Sequence, residues 1–200
     1  MLEPTQLDNG RQPVLADQEV MWRELTVQPL AEGGAAVAYA EALRAVYTNG
    51  QVRHASFRVL PHPVFEWYGS RNLVHAMWFF KEFWTLPQVR DFMPEPLADL
   101  KFYSNDVFQD SSPFLLGGST GRALYAGGAY KRHPDGPVHA KELGDRLANE
   151  WVDDRYDEVL VYESYAPWSS FFLDVAWDIT WVAFDKGQRV VHVICGTDSD

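Results

Sequence analysis

A single α+β domain with a mainly antiparallel sheet is what this sequence predicts, and three observations carry that expectation. Alternating apolar residues end in a hairpin near the C-terminus, three stretches repeat apolar residues at helical spacing, and no linker divides the chain. The 200 residues are 46% hydrophobic and 14% aromatic, a globular composition with ample material for one core. Residues 1–18 are polar with two prolines and read as a flexible N-terminal arm, leaving 19–200 as the globular domain. About three helices are expected to cover one face of the sheet, whose last three strands form a meander.

The hairpin is the clearest local signal. Val175, Trp177, Ile179, Trp181 and Ala183 alternate with Ala176, Asp178, Thr180, Val182 and Phe184, and Asp185-Lys186-Gly187 separates them from the valine-rich run Arg189 to Cys195. A three-residue turn with Gly187 at positive φ sets Val182 against Val190, Trp181 against Val191, Thr180 against His192 and Ile179 against Val193. In that register Trp177, Ile179, Trp181, Val191 and Val193 share one face.

Earlier in the chain, Val20–Val27 suits a strand or a short helix. Ala35–Tyr47 places Val37, Ala40, Leu43, Val46 and Tyr47 at helical spacing, with Asn49-Gly50 as its stop. Gln51–Leu60 reads as a strand, and Val64–Tyr68 as a short one. Ser70 is placed to cap a second helix over Leu73–Trp84, so apolar on most sides that it must be buried, and Pro87 ends it. Residues 87–118 are broken by prolines. Arg122–Lys131 resembles a strand with a kink at Gly127-Gly128, Pro137–Val152 a third helix with Ala140, Leu143, Leu147 and Trp151 inward, and Tyr156–Tyr165 a strand.

Composition excludes several functions. A net charge of −11 disfavours nonspecific binding to nucleic acid or anionic membrane. No apolar run approaches the roughly 20 residues of a membrane span. The N-terminus has neither a basic start nor an apolar segment, and Cys195 is the only cysteine, so a reducing cytoplasm is expected. Gly117-Gly118-Ser119-Thr120-Gly121 shares glycine richness with phosphate loops but lacks the lysine that follows them, and reads as a turn. The histidines show no metal-ligand spacing within one element. His133 and His139 bracket a turn with Asp135 and Glu142 nearby, a set that a solvated loop carries as readily, and no metal or cofactor is expected. Cys195 reads as a small buried hydrophobe.

Two constellations remain. Asp178, Thr180 and His192 share a face in the expected register, where an aspartate can orient an imidazole for general-base work. Between Glu142 and Glu163 the carboxylates Glu142, Asp145, Glu150, Asp153, Asp154, Asp157, Glu158 and Glu163 face only Arg146 and Arg155, a net charge of −6. Carboxylates fixed on a helix and its exit steer a basic protein and can block its working surface. The expected function is therefore a small acidic binding protein that neutralises a basic partner, as an immunity protein or inhibitor does, with Glu142, Asp145, Glu150, Asp153, Asp154, Asp157 and Glu158 as the contact strip. The alternative is a small hydrolase or transferase built on Asp178, Thr180 and His192.

Overall fold

The structure, a computed structural model, describes residues 11–31, 33–101 and 107–200. The expected arm falls largely on residues 1–10, outside the described residues. Its C-terminal end is helical, since α1 spans Leu15–Glu24. The chain continues through β1 (Val27–Leu30), α2 (Gly34–Val46), β2 (Gln51–Val59), α3 (Pro63–Gly69), a 3₁₀ turn at His75–Met77, α4 (Phe79–Phe83) and α5 (Pro87–Phe92). It ends with β3 (Gln109–Ser111), α6 (Pro113–Ala126), α7 (Gly136–Val152), β4 (Val159–Ser164), β5 (Ile179–Asp185) and β6 (Val190–Thr197). The six strands form one antiparallel sheet in the order β1-β2-β6-β5-β4-β3, so the α+β class and the C-terminal meander are as the sequence predicts.

Helices cover both faces of this sheet rather than one. Phe57, Val182, Phe184, Val191 and Val193 pack with α1, α3, α4 and α5 on one side. Trp181, Ala183, Ile194, Val52 and Val161 pack with α2, α6 and α7 on the other. Every residue of β5 is consequently buried. The few polar groups in that strand are satisfied locally, as where Trp168 Nε1 donates to Thr180 Oγ1 at 2.9 Å.

The hairpin register differs from the expected one by three residues. Val182 pairs with Val193, Trp181 with Ile194, Thr180 with Cys195 and Ala183 with His192. The connection is four residues long, and Arg189, not Gly187, holds the positive φ of 55°. Asp185 causes the longer turn: one carboxylate oxygen accepts from Gln188 N at 2.8 Å and the other from Arg155 Nε at 2.7 Å. An odd shift exchanges the faces of one strand, so Trp181 and Ile179 lie with Ile194 while Val191 and Val193 lie on the far side with Val182 and Phe184. Trp181 is fully buried, and Trp177 packs only partly against the same cluster. Val175–Asp178 is a turn, not the start of the strand, closed by the Asp178 carboxylate accepting from Val175 N at 3.1 Å.

The Leu73–Trp84 stretch is not one helix. Trp78 adopts the left-handed conformation, φ 58° and ψ 33°, between the 3₁₀ turn and α4. A straight helix would point some of these large side chains away from the core. The break buries Val74, Met77, Phe79, Phe80, Phe83 and Trp84 together and leaves Trp78 exposed. Val64–Tyr68 lies in α3, started by Pro63 and capped by His62 Nδ1, which accepts from Val64 N. Ser70 follows that helix, and Pro87 opens α5 instead of ending a helix.

Gly117–Gly121 lies inside α6, where the sequence suggested a turn and then a strand from Arg122. Ser112 and Pro113 start this helix, with Ser112 Oγ accepting from Phe114 N. Three glycines weaken it intrinsically, but Gly117 and Gly121 meet Gly144 of α7 so closely that a Cβ on Gly144 would overlap the Gly117 carbonyl oxygen. Backbone-to-backbone approach of this kind needs residues without a Cβ. Gly144→Ala should therefore lower stability by about 1–3 kcal/mol. Gly118→Ala, on the exposed side with nothing in its way, should raise it by about 0.5–1 kcal/mol. Denaturant midpoints of the two variants check this, and a neutral Gly144→Ala would contradict the close contact.

Candidate functional site

The acidic strip is anchored by α7, whose buried side is as expected: Ala140, Leu143, Leu147 and Trp151 all face inward. Its carboxylates fall into two groups. Glu150 reaches across to the start of α2, accepting from Ala35 N at 2.7 Å and Ala36 N at 3.1 Å, and so caps a neighbouring helix. Asp145 is bound by Lys141 one turn back. Asp153 lies 3.3 Å from Arg155, whose other contact is the buried Asp185. Glu142, Asp154, Asp157 and Glu158 are exposed. The free negative charge is thus concentrated where α7 leads into β4, since Asp185 already neutralises Arg155.

Next to that exit lies a groove of about 710 Å³ between α6, from Pro113 to Arg122, and the side of α7 that carries Lys141, Asp145, Ala148 and Asn149, reaching Tyr156 at one end. Its walls carry large apolar side chains in solvent: Phe114 is 76% exposed and Leu115 61%. The Phe114 ring stacks on Tyr156, with centroids 4.3 Å apart and planes at 20°. At the inner end Glu163 accepts from Ser111 Oγ at 3.0 Å and from Tyr165 OH at 2.9 Å. Burial is the main cause that raises the Tyr165 phenol above its ordinary value, so it stays a donor at neutral pH. Neither Phe114 nor Leu115 stood out in the sequence. The Ser112-Pro113 pair, a helix-start signal, was the available clue, because residues just after it sit on an exposed first turn.

A second concavity, about 870 Å³, lies between α1 and α4 and is lined by Trp22 and Trp78. Its charged residues balance, Arg23 and Lys81 against Glu19 and Glu82, as do those lining the first groove, Arg122 and Lys141 against Asp145 and Glu163. The first groove alone reaches Tyr156, which the exposed Asp154, Asp157 and Glu158 flank in sequence.

Asp178, Thr180 and His192 are not brought together. Thr180 faces the α3/α4 side and accepts from Trp168, and Asp178 accepts from Thr197 Oγ1 at 2.6 Å. His192 faces the other side, its ring stacked on Trp151 at 5.1 Å and 12°, with Nδ1 2.7 Å from Ser56 Oγ. The register shift is the cause, because it moves His192 opposite Ala183. Cys195 is fully buried, and burial pushes its thiol up to about 12, the inert behaviour of a small core residue.

His133, Asp135 and His139 do converge at the start of α7, with one ligand-capable atom from each within 4.8 Å of the others. Glu142, which the sequence suggested beside them, is not part of that group. Among the described residues no helix is long and apolar enough to cross a membrane. Compared with known proteins, the chain matches no family model and no curated sequence.

His192 supplies a test of this placement. Burial pushes its pKa down from 6.5 to about 4. Unfolded chains therefore take up a proton near pH 6.5 that the folded protein refuses until about pH 4. Its contribution to stability is complete above pH 6.5 and is lost as pH falls towards 4, by up to about 3 kcal/mol. His54, His62 and His133 are shifted the same way by burial, so the difference between wild type and His192→Gln isolates the one residue. Urea denaturation at pH 7 and pH 4.5 should show a smaller acid loss in His192→Gln, and equal losses would contradict the buried neutral imidazole.

Proposed function

We propose that the chain binds a basic protein partner through the groove beside the exit of α7, acting as a neutralising or inhibitory protein in a reducing cytoplasm. The observation that carries this reading is the exposed Phe114–Tyr156 stack, with the exposed carboxylates Asp154, Asp157 and Glu158 flanking Tyr156 in sequence. Solvent-facing aromatic side chains on rigid elements are the usual anchors of protein interfaces, and the charges around them set partner choice and association rate. Phe114 sits on a helix locked against α7, and Tyr156 is held by the junction into β4, so neither needs to be ordered on binding. A cationic segment with an apolar side chain fits this combination: the side chain enters against Phe114 and Leu115, and lysines or arginines face the carboxylates. Glu150 takes no part, since its carboxylate holds α2. Asp145 lines the groove, bound by Lys141, whereas Glu142 and Asp153 lie outside its lining.

Selection from a random displayed peptide library provides a defined test. The enriched peptides should carry lysine or arginine beside an aromatic or aliphatic residue. Phe114→Ala should weaken them by about tenfold or more, as loss of an interface anchor does. Reversal of Asp154, Asp157 and Glu158 to lysine should slow association at low salt and much less at high salt, because screening confines the field to about 8 Å near physiological ionic strength. Neutral or acidic selected peptides, indifferent to both sets of substitutions, would contradict the reading.

A further inference from the structure

We propose that His133, Asp135 and His139 form a binding site for a divalent transition-metal ion of the zinc type. The same three atoms define it throughout. His133 Nε2 lies 2.8 Å from His139 Nδ1, and Asp135 Oδ2 lies 3.9 Å from the first and 3.6 Å from the second. Atoms at those spacings share a centre about 2 Å from each, and zinc binds imidazole nitrogen at about 2.0–2.1 Å and carboxylate oxygen at about 2.0–2.2 Å.

Asp135 is committed to this cluster rather than to its helix. It occupies the N-cap position of α7, where an aspartate ordinarily accepts a hydrogen bond from the first-turn backbone, yet it makes no such bond. His133 supplies a fixed wall, since its side chain is only 4% exposed, whereas His139 at 41% is free to turn. The two rings are nearly parallel, at 14°, with centroids 5.1 Å apart. Their facing nitrogens share a proton in the metal-free pair. A metal ion takes the place of that proton, which moves to another ring nitrogen, and the His139 ring turns towards Asp135.

Two imidazoles and one carboxylate suit zinc, copper or nickel and not magnesium or calcium, which prefer oxygen ligands. Three protein ligands leave a fourth position open to solvent on the Asp135 side, whose side chain is 66% exposed. His133 Nδ1 is buried without a hydrogen-bond partner. The outer support that normally orients a ligating histidine is therefore missing, and its absence commonly weakens binding about 10–100-fold. The expected site is a moderate-affinity, exchangeable one, and none of its three ligands lines the groove between α6 and α7.

Titration calorimetry of untagged, chelator-stripped protein with zinc chloride at pH 7 tests the site. Wild type should bind one zinc ion saturably and gain thermal stability, with no response to magnesium. His139→Ala and Asp135→Asn should each weaken zinc binding by about tenfold or more and lose the thermal shift. Where His139→Ala fails to fold by circular dichroism, Asp135→Asn reads the same loss at an exposed side chain. Absence of saturable zinc binding in wild type, or binding of unchanged affinity in the folded variants, would overturn the proposal.

Discussion

Burial of β5 on both faces is the constraint on which the rest of the structure depends. All seven of its residues are buried, so the strand must be paired on both edges and covered on both sides. β4 and β6 supply the pairing. The aromatic cluster of α3 and α4 covers one side, where Phe184 stacks with Phe79 at 5.8 Å. On the other, Trp181 meets Tyr39 of α2 edge to face at 6.1 Å and donates from Nε1 to Ser119 Oγ of α6 at 3.1 Å. A strand buried in this way turns the antiparallel sheet into the middle layer of three.

The α6–α7 pair follows from that layering. Both helices must reach the same side of the sheet, and Gly117, Gly121 and Gly144 let them do so with their backbones in contact. This close approach aligns the first turn of α6 with the exit of α7 and so brings Phe114 onto Tyr156. His133, Asp135 and His139 meet at the start of α7.

What could be read from the sequence follows physical lines. Helices α2 and α7 were legible because each has one apolar stripe, as was the meander, because β-branched residues alternate through it. Arg189 was not, because a carboxylate at Asp185 lengthens the turn and overrides the glycine beside it. That single change moved His192 to the other face and dissolved the expected Asp178–Thr180–His192 group. Helix α6 was hidden by its glycines, whose value lies in a contact distant in sequence. The acidic strip was visible, but not that Glu150 is used up in capping α2. His133 and His139 were visible as neighbours of a turn, while their convergence depends on Asp135 leaving its capping role.

A tertiary contact, not local propensity, holds α6 and with it the groove. Native-state hydrogen exchange tests this most directly. Amides from Leu116 to Leu124 should exchange through the same global opening as those from Ile179 to Asp185, with equal opening free energies. Exchange of the α6 amides orders of magnitude faster than those of β5 would show a helix that frays alone, and the account of a preformed groove would then be contradicted.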